Sequence, residues 1–218
     1  MQFVNLHTHT YTNDVQIIEI VNQYPWEFTD AVLHYSIGIH PWHINENRLN
    51  NDLKTIEQNL QLKNCKALGE CGLDKRIITK FEWQIEVFKM QVNLVKKTTK
   101  PIILHCVAAF NEIIIIKKEM QISNPMIIHG FSKNKHVAKS LLDNGFYLSF
   151  GKYLLQNSDA LSVLNYIPED RLFLETDTMN NTIFDVYEKA AHIKKRNLED
   201  LKDIILTNYK SVFNNEDN

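Results

Sequence analysis

The stretch Ala67-Leu68-Gly69-Glu70-Cys71-Gly72-Leu73-Asp74 carries an apolar run into a carboxylate that has glycines close on both sides. A run broken by glycines where the acid arrives reads as a buried strand ending at a site that needs close backbone approach. A buried carboxylate is costly unless it is paired or bound to a cation. Other apolar runs end in ligand-type residues in the same way. They are Phe3 to His7-Thr8-His9, Pro101 to His105, Pro125 to His129, and Arg171 to Glu175-Thr176-Asp177. Convergence of these strand ends predicts a metal centre in which Glu70 bridges two ions.

Working outward, residues 3–9 read as the first strand, with His7 and His9 two apart and so on one face of an extended chain. The β-branched run 15–21 reads as a second strand, and 33–40 as a third that runs into Gly38-Ile39-His40-Pro41-Trp42-His43. Helical spacing of apolar residues predicts helices over 45–62 and 80–99, the latter stopping before Pro101. The His105 strand, a helix over 108–120, the His129 strand and a helix over 133–143 follow, with Asn144-Gly145 as its cap. A strand over 146–153, a helix over 155–165, a strand over 171–177 and helices over 183–195 and 198–213 complete the chain. Strands alternating with helices argue a parallel sheet with helices outside, and eight strands argue an α/β fold of the (β/α)8 TIM-barrel type. No helix fits between the first two strands. The expectation is therefore a distorted barrel that lacks its first helix and has an antiparallel early hairpin there.

Composition bounds the function. At 218 residues the chain fits one domain, 1–218, and 44% hydrophobic with 23% charged residues is ordinary for a globular protein. No apolar run is long enough to span a bilayer, and the N-terminus lacks a basic region followed by an apolar stretch. Cys65, Cys71 and Cys106 have no metal-type pair spacing and read as reduced, packed thiols, so a cytoplasmic location is expected. Net charge is −2, which excludes a strongly basic surface for long nucleic acid but admits nucleic-acid ends and short substrates. Nothing calls for a membrane or an obligate protein partner.

The site candidates follow from position. His7 and His9 suit zinc, manganese or iron through neutral ring nitrogens, and carboxylates in the same site admit magnesium. His105 and His129 each close an apolar strand, and Asp177 is an acid at a strand end. Glu175 sits two residues earlier on the same face, placed to orient a ligating histidine. His40 either contacts substrate or caps the rim of the sheet. Lys75, Arg76, Lys133 and Lys152 lie just beyond strand ends, Lys75 and Lys133 being the cations expected at a phosphate. His34, His43, His136 and His192 read as structural or solvated. A nucleophilic thiol at Cys71 or Cys106 would need an adjacent base. No Gly-x-Ser-x-Gly elbow, P-loop, GxGxxG or HExxH pattern is present.

Taken in order, these motifs resemble the TatD family of metal-dependent hydrolases, TatD-type deoxyribonucleases within the amidohydrolase-like TIM barrels. The matching elements are His7-Thr8-His9, Gly38-Ile39-His40-Pro41-Trp42, Gly69-Glu70-Cys71-Gly72-Leu73-Asp74, Gln84 with Pro101-Ile102-Ile103-Leu104-His105, Ile127-Ile128-His129-Gly130-Phe131-Ser132, Leu174-Glu175-Thr176-Asp177 and Thr207 to Phe213. The resemblance implies that His7, His9, Glu70 and Asp177 ligate one ion and that Glu70, His105 and His129 ligate a second. Asn5 stands where that family usually has aspartate, Cys106-Val107-Ala108 replaces its Ser-Arg-Asp, and Thr178-Met179-Asn180 replaces its Ala-Pro-Tyr-Leu. The chain is also short, without the first helix and a late loop.

The implied chemistry is hydrolysis of a phosphoester in a nucleic-acid end or small substrate, by water activated between two divalent ions (magnesium, manganese or zinc). Asp177 is its expected base, and Glu70 completes the catalytic pair. Alternatives are hydrolysis of a carboxylic ester, lactone or amide, a phosphoesterase of the PHP type, and a non-catalytic metal-binding interaction protein.

Overall fold

The structure is a computed structural model that describes residues 2–213 apart from 157; for residues 158–160 it describes the backbone only. Eight strands follow one another in the sheet in chain order. They are β1 (Phe3–Thr8), β2 (Ile17–Gln23), β3 (Tyr35–Ile37), β4 (Cys65–Asp74), β5 (Ile102–Val107), β6 (Met126–Ile128), β7 (Phe146–Phe150) and β8 (Leu172–Leu174). The helices are α1 (Leu49–Asn59), α2 (Phe81–Val95), α3 (Phe110–Glu119), α4 (Lys135–Asp143), α5 (Lys152–Gln156), α6 (Ser158–Tyr166), α7 (Ile183–Lys194) and α8 (Leu198–Phe213). Where the sequence predicts one strand through Tyr153, β7 stops at Phe150 and α5 begins at Lys152; the helix expected over 155–165 falls on α5 and α6. Among the described residues no helix is long and apolar enough to cross a membrane.

The chain divides into two compact units, one made of Met1–Val21 with Ile127–Asn218 and the other of Asn22–Met126. In the first, β1 and β2 run parallel, Phe3 opposite Ile17 and Val4 opposite Ile18. The antiparallel hairpin expected here is therefore wrong, although no helix intervenes, as expected. The reason is reach. Six residues of strand rise about 20 Å, and the eight residues 9–16 can span roughly 28 Å when extended, enough to return the chain without a helix. The return is fixed by Phe3 N–H donating to the Gln16 carbonyl at 2.8 Å. Glu19, 5% exposed, accepts from Thr12 N–H at 3.0 Å and Thr12 Oγ1–H at 2.7 Å.

On β1, the Phe3 ring meets Phe184 and Tyr187 edge-on at 4.7 and 5.0 Å. The buried Tyr187 hydroxyl donates to Val4 O at 3.0 Å and accepts from Val4 N–H at 3.1 Å, tying α7 to β1. Thr182 and Asp185 form a capping box that starts α7. β7 and β8 are parallel, with Leu148 opposite Leu172.

In the second unit β4 lies between β3 and β5, parallel to both. Its pairing with β5 shifts between Leu68 and Cys71, where Gly69 sits, and Gly72 follows opposite His105. Gly69 and Gly72 adopt φ of +146° and +137°, and a Cβ there would lie 2.6 Å from the Ile103 carbonyl oxygen and 2.1 Å from that of His105. Only glycine permits this approach. Helix α2 turns Gln84, Val87, Phe88, Gln91, Val92 and Val95 inward. Gln91 reads the Ile39 backbone, accepting from its N–H at 2.7 Å, and Gln84 Oε1 accepts from Asp74 N–H at 2.8 Å. These amides fix the two segments that carry His40 and Asp74.

Candidate metal centre

The first unit gathers His7, His9, His129 and Asp177. Backbone bonds set the arrangement: Asp177 N–H donates to the His7 carbonyl at 2.9 Å, and His9 N–H donates to the Asp177 carbonyl at 3.1 Å. Asp177 holds φ at 53°, a left-handed conformation that aspartate adopts more readily than most residues. Its Oδ1 then lies 3.7 Å from His7 Nε2 and 3.5 Å from His9 Nε2. The His7 and His129 rings are 4.4 Å apart, and His7, His129 and Asp177 offer ligand atoms within 4.8 Å of one another.

Glu175 lies behind His129. Its Oε1 accepts from Gly130 N–H at 2.6 Å and sits 3.3 Å from His129 Nδ1. Burial pushes the Glu175 carboxyl up, but the His129 and His7 rings outweigh it and hold the group below its ordinary range. A charged Glu175 accepts Nδ1–H of His129 and leaves Nε2 as donor to a cation.

Asn5, the departure beside His7, engages Thr176 with both polar atoms of its side chain. Its Nδ2 donates to Thr176 Oγ1 at 2.8 Å and its Oδ1 accepts from Thr176 N–H at 3.0 Å. It clasps the segment that presents Asp177.

The second unit gathers His40, Glu70, His105 and Asp74. Glu70 is 4% exposed; its Oε1 lies 2.9 Å from His105 Nδ1 and 3.2 Å from His40 Nε2. Its own N–H donates to Asn22 Oδ1 at 2.7 Å. His40, Glu70 and His105 also have ligand atoms within 4.8 Å of one another. The His40 tautomer separates it from the other two. Its Nδ1 accepts from Trp42 N–H at 3.1 Å, so the neutral ring carries its proton on Nε2 and donates it to Glu70. Burial lowers the His40 pKa against the opposing pull of Glu70, which keeps the ring neutral. His40 therefore orients Glu70, and Glu70 with His105 are left as the candidate cation donors of this cluster.

Asp74 was not singled out by sequence reasoning, though it closes the motif that opened it. Its Oδ2 lies 3.3 Å from His105 Nε2 and accepts from Trp42 Nε1–H at 2.8 Å, and its Oδ1 accepts from Arg76 N–H at 2.8 Å. Burial raises this carboxyl, but the bonds from Trp42, Arg76 and His105 together bring it below its ordinary value. The available signal was a second acid four residues after Glu70 in a run with no other explanation for it.

Of the expected phosphate cations, Lys75 is engaged by Glu112 at 2.5 Å, and Lys133 is half-buried between β6 and α4. The three cysteines are buried and form no disulfide. Burial pushes the Cys71 thiol far up, against any role as nucleophile.

Parallel strands whose C-terminal ends carry histidine–carboxylate clusters define the metal-centre class of (β/α)8 proteins. Comparison with known proteins narrows the class. The family model for TatD related DNase matches residues 1–214, and the chain belongs to this family. An uncharacterized metal-dependent hydrolase of Haemophilus influenzae is 32% identical over 162 residues, covering 70% of this chain and 61% of that protein. The Escherichia coli uncharacterized metal-dependent hydrolase YcfH is 29% identical over 197 residues, covering 82% of this chain and 73% of its own. Among solved structures, the E. coli TatD homologue YJJV superposes with a TM-score of 0.83 at 20% identity, over 97% of this chain and 98% of that one. A TatD family hydrolase of Entamoeba histolytica gives 0.80 at 18% identity, over 98% of each chain. The shared fold is the (β/α)8 barrel; here, among the described residues, no α-helix lies between β1 and β2, as expected, and none lies between β2 and β3 either.

Proposed function

We propose that the chain is a metal-dependent phosphoesterase acting on nucleic-acid ends or small phosphoesters. The observation that carries this reading is the pair of histidine–carboxylate clusters, each with donor atoms within 4.8 Å of one another. The donor set fits divalent magnesium, manganese or zinc: imidazoles, of which His129 and His105 each set one ring nitrogen against a carboxylate, and carboxylates held by backbone and ring N–H groups. His7, His9, His129 and Asp177 would hold an ion in one cluster, Glu70 and His105 in the other. Bound ions would supply Lewis-acid polarisation of the phosphoryl group and acidify water. Asp177, with its side chain 30% exposed, is the carboxylate that water reaches, and it would accept the proton of the attacking water. His40 holds Glu70 by its Nε2–H, and Glu175 holds the His129 tautomer.

Substrate size follows from charge. Each phosphate contact to long DNA adds affinity and salt dependence, whereas this chain has a net charge of −2 and Lys75 is taken by Glu112. Single-stranded ends, short oligonucleotides and small phosphoesters are the substrates that suit it. The test offers end-labelled single-stranded DNA, duplex DNA, small phosphodiesters and simple carboxylic esters with magnesium, manganese or zinc. Cleavage of the phosphoesters is expected, and Asp177→Asn should reduce it about a hundred- to ten-thousand-fold while the fold survives. Cleavage of carboxylic esters or lactones alone would overturn the phosphoesterase reading. Metal binding with no turnover would leave a non-catalytic metal-binding protein.

A further inference from the structure

Trp42 is 60% exposed, although the structure fixes it at both ends. Pro41 opens a short 3-10 turn over Pro41–His43, and His40 Nδ1 takes the Trp42 backbone N–H at 3.1 Å. The indole N–H is taken by Asp74, a carboxylate only 2% exposed, at 2.8 Å. An exposed large side chain is ordinary when it stands alone. An exposed indole clamped by a buried acid that also faces His105 is a different matter. Its ring centroid lies 5.1 Å from that of His40 and 5.9 Å from that of His105. The aromatic surface continues: His43 is 5.7 Å from His40, and Tyr24 and Trp26 are 5.2 and 5.7 Å from His43. Tyr24 and Trp26 stack at 4.8 Å with 12° between planes, and the Arg48 guanidinium lies 3.7 Å over Trp26.

We infer that Trp42 is a stacking platform for the base or aryl group of the substrate, with the exposed His43 ring beside it and the Tyr24–Trp26–Arg48 stack bracing His43 from behind. The inference rests on the phosphoesterase reading and adds the substrate class: phosphoesters that carry a flat π-system on one ester oxygen. Every base has a π-face, so such a platform binds without reading sequence. The indole is already ordered, so little conformational freedom is lost when a ring settles on it. An aromatic strip also supplies affinity where cations are few.

The test separates stacking from the link to Asp74. Trp42→Phe and Trp42→Leu both lose the indole N–H, but only the leucine variant loses the π-face. Calorimetric titration of the protein with a defined divalent ion gives the ratio of Kd for ribose phosphate to Kd for adenosine monophosphate. The wild type should favour the base-bearing ligand about 5- to 150-fold, the span of one stacked base. Trp42→Phe should keep much of that ratio and Trp42→Leu should bring it close to one. The KM ratio of alkyl to aryl phosphodiesters should move in parallel. A ratio that survives in Trp42→Leu, or that falls equally in both variants, overturns the platform. If no phosphoester is turned over but the binding ratio behaves as described, the platform stands and the phosphoesterase reading fails.

Discussion

Replacing Gly72 with alanine should damage the fold and the Glu70–His105 cluster together. The residue holds φ at +137°, where a side chain is strained, and its new Cβ would start 2.1 Å from the His105 carbonyl oxygen. Reaching the 3.4 Å at which ordinary contact begins requires a shift of 3.4 − 2.1 = 1.3 Å between two paired strands. Backbone strain of this kind costs about 1–3 kcal/mol. Forcing an extra methyl into a packed site costs about 1–3 kcal/mol more. The combined loss is about 2–6 kcal/mol, or roughly 4–24 °C in melting temperature for a chain of this size. The same shift acts on His105, whose Nδ1 is 2.9 Å from Glu70 Oε1, so divalent-ion affinity should fall as well. Thermal melts with and without added manganese measure both effects. An alanine variant that melts with the wild type and gains as much from the metal would refute the close-approach argument.

Glu70→Ala should empty the Glu70–His105 site. If Glu70 also bridges, as the sequence pattern implies, elemental analysis after metal re-addition should find both ions lost, against one for His105→Ala; a wild type that binds none would sink the metal centre. Tyr187→Phe leaves the buried Val4 N–H and carbonyl without their hydroxyl partner, so urea unfolding should show a loss of about 1–3 kcal/mol. Burial, and after it the charge of Lys66, holds the His34 imidazole below its ordinary 6.5. The unfolded chain therefore takes up that proton first, stability should fall as pH drops through about 6.5, and His34→Asn should flatten this part of the pH–stability curve.

Much of the site was legible because its signals are local. Glycines beside Glu70 state a backbone requirement, and a His-x-His pair at a strand end states a shared face. Helices α2, α7 and α8 were legible for the same reason, since each turns a mainly apolar stripe inward at helical spacing. What stayed hidden depends on tertiary placement. The direction of β2 is set by how far residues 9–16 reach, not by any pattern within the strand. β3, β6 and β8 are three residues each, so the longer apolar runs overstated them. The roles of Asp74 and Asn5 need their partners: neither Trp42 Nε1 nor Thr176 Oγ1 announces itself in a one-dimensional reading. His40 was expected to contact substrate or cap the rim; its tautomer is decided by one backbone N–H.

The absence of a helix between β1 and β2 raises the question of how the histidine cluster of that unit is held. The answer lies in what positions its ligands. His7, His9 and Asp177 are fixed by main-chain bonds between the end of β1 and the residues after β8, with Thr8 bridged to Asp177 in parallel register. Asn5 adds its two bonds to Thr176, and Tyr187 secures Val4 from α7. Of these contacts only the one from His9 N–H uses the segment between β1 and β2, at its first residue. That segment instead borders a cavity of about 400 Å³ lined by Thr10, Thr12, Ile17, Glu19, Ile183 and Phe184 among others. The Thr12–Glu19 pair closes the loop over it, so the buried acid that a covering helix would otherwise shield is satisfied locally. The backbone ladder that presents these candidate ligands therefore stands without a helix between β1 and β2.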